Sequence, residues 1–222
     1  MKILLVHPGA SWSTADVYDG LLYGLRAKGV DVKPFRLDKR IEASGKTLHA
    51  MWRQQRKLDP EAERPKPADI FYDAGCRAVT MALREQVDCV LVVSAMYLHP
   101  DVLILMKRAG LRTTVLFTES PYDTEREALV ARLVDGCWTN ERSVVGALRD
   151  VNPCTGYLPH AWHPLKHTPG PHEGDDEIAA HDVVFVGSGF AERIAWFNAI
   201  DWSGIDLGLY GTWERNRMKK AI

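Results

Sequence analysis

Several residues fall where an open α/β protein does chemistry. Glu119, in "FTESPYD", closes an apolar run just before Pro121. A carboxylate at the carboxyl end of a strand can take a proton from an attacking hydroxyl. His99, in "SAMYLHPD", is a second candidate base; an imidazole there either serves a cleft or fills a structural role. Asp123 suits the N-cap of the following helix. Gly187-Ser188-Gly189 follows one apolar run and opens another segment of helical pattern, so its backbone N–H groups suit a phosphate. Turn-making glycines account for the same residues. Arg193, one turn on, either neutralises a diphosphate or pairs with Glu192. Residues 9–14 form the loop after the first apolar run, where ligands of open α/β sheets collect. That loop offers Ser11, Trp12 and Ser13, unless it is an ordinary turn around a packed Trp12.

Other chemistries find less support. His160, His163, His167 and His172 have spacings seen in metal sites, but Pro159, Pro164, Pro169 and Pro171 interrupt them, so no metal is expected. No pair among Cys76, Cys89, Cys137 and Cys154 has C-x-x-C spacing, and all four read as buried small hydrophobes. G-x-G-x-x-G is absent after either run that opens a domain, which argues against a nucleotide-cofactor oxidoreductase.

The elements that must position these residues follow a β-α rhythm. Lys2–Val6 reads as a buried strand, and Val17, Leu21, Leu22 and Leu25 recur at helical spacing before Gly29. Residues 30–35 read as the second strand. The stretch 36–66 breaks the rhythm, with a helix expected only over 48–58 and a loop or linker at "RPKPAD". Helices are then expected over 70–86, 101–109, 124–133 and 141–150. Strands are expected over 87–93, Thr113–Phe117, Gly136–Thr139 and 155–158. Residues 166–180 have linker composition, and Val183–Val186 starts a new strand. The expectation is a Rossmann-like, doubly wound parallel sheet over 1–165, a linker over 166–180, and the first βαβ segment of a second such domain over 181–222.

Composition agrees with a folded core: 222 residues, 46% hydrophobic and 26% charged, with no apolar run near membrane-spanning length. The N-terminal apolar run is too short for a signal peptide, so a cytoplasmic location is expected. Net charge is −1, yet 12 Lys and Arg face 6 Asp and Glu between Arg26 and Lys66. That asymmetry marks either a solvated helical insertion or a contact for an anionic partner. Trp52 and His49 among the arginines would suit stacking on bases, and phosphate contacts would make binding fall steeply with salt.

The segments "TNERSVVGALRD", "YLPHAWHPLKHTP" and "DVVFVGSGFAERIAWFNAIDWSGIDLGLYG" resemble the CgeB-like (spore maturation protein) glycosyltransferases, with "FTESPYD" as a further scattered match. The resemblance implies the GT-B architecture, two Rossmann-like domains facing across a cleft. It implies a nucleotide-sugar donor held by the second domain near Gly187, Ser188, Gly189 and Arg193, with no bound metal or other cofactor. It implies an acceptor held by the first domain, with Ser11, Trp12 and Ser13 facing the cleft and His160 in the interdomain crossing. Glu119 and His99 are then the candidate catalytic residues. The acceptor is a glycan, a protein or DNA. Most of the donor domain of such an enzyme is missing from this sequence, so the chain is expected to be a fragment or a natural truncation, inactive by itself. The alternative is a non-catalytic binding domain derived from a glycosyltransferase.

Overall fold

The computed structural model describes residues 1–9, 13–168 and 180–213, which fall into two compact units, Met1–His163 and Pro164–Ile222. In the first, strands β1 (Lys2–Val6), β2 (Asp31–Phe35), β3 (Cys89–Val93), β4 (Thr113–Phe117), β5 (Gly136–Thr139) and β6 (Thr155–Tyr157) form one parallel sheet in the order β2-β1-β3-β4-β5-β6. Period-two alternation sends consecutive side chains to opposite faces. Leu4, Val6, Val90 and Val92 join one core, while Leu5, Leu91 and Val93 join the other. Helix α1 (Ser13–Ala27) covers the second face with Val17, Tyr18, Leu21, Leu22 and Leu25. Helices α2 (Leu37–Leu58), α3 (Pro67–Glu85), α4 (Pro100–Arg108), α5 (Thr124–Ala131) and α6 (Val145–Val151) belong to the first face. The result is the Rossmann-like, doubly wound sheet that the β-α rhythm predicts. Pro34 has no N–H to give, and β2 is accordingly an edge strand, Pro34 lying opposite Leu5.

The basic stretch departs most from expectation. Instead of a helix over 48–58, α2 runs for 22 residues, and the end of "RPKPAD" is the first turn of α3. Pro67 sits where a helix needs no N–H, and Asp69 accepts from the Lys66 backbone N–H at 2.7 Å. The first half of α2 carries little apolar pattern because part of its buried contact is polar: the Ser44 hydroxyl, fully buried, donates to Asp73 at 2.6 Å.

Two glycines in this helix pair should respond oppositely to a side chain. A Cβ on Gly45 would meet Ile70 at 3.7 Å, an ordinary contact, so Gly45→Ala should add about 1 kcal/mol of stability through helix propensity. A Cβ on Gly75 would lie 2.7 Å from Val102 Cγ2, so Gly75→Val should cost about 1–3 kcal/mol through overpacking against α4. Urea unfolding of both variants checks the pair; shifts of equal sign would contradict this packing.

The second unit holds β7 (Val183–Val186), α7 (Ala191–Ala199) and β8 (Leu207–Tyr210), the two strands parallel with Val183 opposite Leu207. Its core is aromatic. Phe197, 1% exposed, meets Phe185, Trp202 and Trp213 with ring centroids 5.2–5.6 Å away. Most of the expected linker, residues 169–179, and the tail beyond Trp213 lie outside the described residues. Among the described residues, no helix is long and apolar enough to cross a membrane.

Candidate functional site

Strand order reverses between β1 and β3, and in open parallel sheets the crevice at that reversal, beyond the carboxyl ends of the strands, receives ligands. At the end of β1, His7 is buried against the Tyr18 ring, and its Nδ1 accepts the Gly9 N–H at 3.1 Å. Burial pushes the His7 pKa down, with Asp38, 3.7 Å from Nδ1, pulling the other way. Burial pushes Tyr18 up to about 12. Gly9 holds φ +96°, and a Cβ there would lie 2.5 Å from the Tyr97 Cβ, so the loops after β1 and β3 touch at this glycine.

The loop after β3 carries strain that its residue types do not advertise. Ser94 and Ala95 both lie in the left-handed region, at φ 71° and 63°. Each costs on the order of 1–3 kcal/mol, and such strain gathers at functional sites. Here it aims the Ser94 hydroxyl at Glu119 Oε1, 2.8 Å away at the end of β4. The Thr118 hydroxyl donates to the same oxygen at 3.0 Å, and the Thr118 N–H reaches Oε2 at 3.3 Å. Glu119 is half-buried in a narrow cleft lined also by Ser94, Met96, Asp123, Arg126 and Glu127. Arg126 ties α5 to the β3 loop by donating to the Met96 carbonyl.

Glu127 is the residue that sequence reasoning missed. It is 4% exposed, takes the Ser120 hydroxyl on Oε2 at 2.6 Å, and leaves Oε1 buried without a hydrogen-bond partner. Burial, reinforced by the Glu119 and Asp123 charges, pushes its carboxyl up to about 7. Because the folded value exceeds the ordinary carboxyl value, the stability Glu127 contributes is complete in acid and fades as pH rises through about 7. Above that pH, Glu127→Gln should be more stable than the native chain by up to about 3 kcal/mol, and the advantage should vanish in acid. Urea unfolding on both sides of neutrality reads this directly; a difference that ignores pH would contradict it.

The other expected site residues are scattered. His99 caps α4, its Nδ1 accepting the Asp101 N–H at 3.2 Å and its ring resting on Tyr72; it does not line the Glu119 cleft. Asp123 stands at the N-cap of α5 but makes no capping bond, its side chain lining the cleft instead. Ser11 and Trp12 lie outside the described residues, and Ser13 opens α1. His160 is exposed and meets Asn140 at 3.0 Å, whereas His163 is buried against Tyr23. His172 lies outside the described residues, among which no three metal-binding side chains gather. Of the four thiols expected to be buried, Cys137 is; Cys76 and Cys89 are half-buried, and Cys154, which precedes the edge strand β6, is exposed.

Gly187, Ser188, Gly189 and Arg193 do come together, between β7 and the first turn of α7. Arg193 donates to the Ser188 carbonyl at 2.9 Å and lies over the Phe185 and Phe190 rings. A Cβ on Gly189 would lie 2.5 Å from Trp213, and one on Gly187 would lie 3.0 Å from Phe185. These glycines therefore serve internal packing. Phe190 gives α7 no side-chain cap, which leaves the first-turn N–H groups to other acceptors. On α2, Lys46, His49, Arg53 and Arg56 follow one face beside a groove floored by Ile41, Pro67, Ile70 and Phe71. Much of that charge is engaged locally: Glu42 pairs with Lys39 and Lys46, and Arg56 lies over Trp52, whose indole N–H donates to Ala62.

No family model matches this chain, nor does any curated protein. Solved structures do. MnaA of S. aureus, solved with UDP, superposes with a TM-score of 0.60 at 14% identity, over 99% of this chain and 64% of that one. This chain therefore spans less than two thirds of that protein's length. An arabinose-transporter binding protein from Shewanella sp. ANA-3 covers 96% of this chain and 54% of its own at 11% identity, but the TM-score is 0.33. A LacI-family protein from Brachyspira murdochii reaches 0.34 at 9% identity, over 96% and 56%. The first of these likenesses shows the fold: the chain is a Rossmann-like α/β protein.

Proposed function

We propose that this chain belongs to a glycosyltransferase of GT-B type, close to the CgeB-like group, which moves a sugar from a nucleotide-sugar donor to an acceptor hydroxyl. The observation that carries the reading is the strained Ser94–Ala95 turn, which holds a hydroxyl on Glu119 at the carboxyl ends of adjacent parallel strands. Glu119 is the base that takes the acceptor proton. The first turn of α7, with Gly187, Ser188, Gly189 and Arg193, holds the donor diphosphate through N–H groups and the helix dipole. The UDP in the MnaA structure, on a fold this chain shares, supports a nucleotide-sugar ligand. A glycan, a protein or DNA is the acceptor, and the basic face of α2 suits an anionic one.

A non-catalytic binding domain is the second reading. It is favoured by the packing roles of Gly187 and Gly189 and by the Arg193 bond to the turn itself. Titration calorimetry with UDP tests the donor site. The chain should bind UDP, and Arg193→Ala should weaken binding about ten- to a hundredfold, the worth of one charge-assisted hydrogen bond. UDP affinity untouched by that substitution would remove the α7 turn from the donor site.

A further inference from the structure

Two carboxyl groups share the cleft beyond β4, and their surroundings give them opposite hydrogen-bonding roles. Glu119 is met only by donors, the Ser94 and Thr118 hydroxyls and the Thr118 N–H. Glu127 ends a chain of hydrogen bonds that runs through two hydroxyls. The Glu141 N–H donates to Thr139 Oγ1 at 3.2 Å, Thr139 donates to Ser120 Oγ at 2.8 Å, and Ser120 donates to Glu127 Oε2 at 2.6 Å. In this arrangement Oε2 accepts from Ser120, and Oε1 is the carboxyl oxygen left to carry a proton.

That atom is buried and has no protein partner, although the residue lines the cleft. Buried polar atoms without partners are rare in folded chains and call for an explanation. The free space is about 10 Å³, close to the least that accommodates one water oxygen. That is room for a single hydroxyl of a larger ligand.

We propose that Glu127 and Glu119 form a subsite for one hydroxyl group of a polyol, the Glu127 Oε1–H donating to its oxygen and the Glu119 carboxylate accepting its hydrogen. The subsite rests on the reading of Glu119 as the residue that faces the acceptor. One carboxyl held neutral beside one that accepts is a division of labour set by environment. The charged and titratable groups around Glu127 are Glu119 and Asp123, which disfavour its ionised form, Arg126 in the cleft wall, and the Cys137 thiol, itself pushed up by burial. Binding at this subsite is therefore strongest while Glu127 keeps its proton, and weakens as pH rises through about 7.

Carboxyl carbon NMR of glutamate-labelled protein, titrated with and without glucose as a simple polyol, tests the subsite. Glucose should move the Glu127 midpoint upward by about one pH unit, corresponding to about tenfold preference for the neutral form. Glu127→Gln stays a neutral donor at every pH, so its glucose affinity should not change with pH, whereas that of the native chain falls about tenfold. Glucose that leaves the Glu127 titration unmoved, or a Gln variant with the native pH dependence, overturns the subsite. If glucose moves the titration but Glu119→Gln leaves sugar transfer intact, the subsite stands and the catalytic reading of Glu119 falls.

Discussion

Glu119→Gln should lower the rate of sugar transfer by about 100- to 10,000-fold, the usual worth of a positioned general base. The change removes the proposed base and keeps an acceptor for its two hydroxyl partners. The amide oxygen of Gln can still accept from Ser94 and Thr118, the two hydroxyls that now meet Oε1 at 2.8 and 3.0 Å. The strained turn at Ser94 and Ala95 therefore keeps its anchor; the Thr118 N–H, 3.3 Å from Oε2, faces an amide NH2 instead of an acceptor, so stability should fall by only about 1 kcal/mol. Donor affinity should also persist, because the proposed diphosphate site lies on other residues. The loss belongs in kcat, with KM for the donor nearly unchanged. Equal loss in both would make Glu119 a binding residue, and full activity would move the base to another group.

Gly211→Val should cost about 3 kcal/mol or more and dismantle the β7-α7-β8 segment. Gly211 follows β8 at φ +114°, a region closed to branched side chains. A Cβ there would lie 2.3 Å from the Gly187 carbonyl oxygen and 2.9 Å from its carbon. Neither atom belongs to a side chain that can swing away. The Gly187 N–H is meanwhile bonded to the Tyr210 carbonyl at 2.8 Å, so the two strand ends are fixed on each other. Hydrogen exchange checks the result residue by residue. Protection should fall in β7 and β8 and survive in β1, β3 and β4; unchanged protection in β7 would show that the strand ends tolerate the intrusion.

The sheet was legible because its strands are short apolar runs closed by turn residues. Lys2–Val6, Thr113–Phe117, Gly136–Thr139 and Val183–Val186 have the limits that pattern predicts. Helix α2 was half hidden, since Ser44 and Gly45 occupy contact positions that an apolar repeat would need. Glu119 could be singled out because a carboxylate at a strand end is visible in "FTESPYD". Glu127 could not be: in "TEREALVA" it reads as an ordinary charged helix position, and only the packing of α5 on the sheet buries it. The left-handed turn at Ser94 and Ala95 was equally silent, because neither residue type favours that backbone region. His99 shows the reverse case. "LHPD" places a proline at the first helical position, which already suits a helix cap as well as a base.

The most direct measurement is the mass of an acceptor after incubation with the protein and a nucleotide sugar. Anionic and neutral glycans, a protein acceptor and duplex DNA should each be tried, with the longer protein used if this sequence is part of one. A glycosyltransferase adds one sugar residue to the acceptor and releases one nucleoside diphosphate, and Glu119→Gln suppresses both together. Nucleotide-sugar binding with no acceptor gaining mass, or a mass gain that survives Glu119→Gln undiminished, would contradict the account.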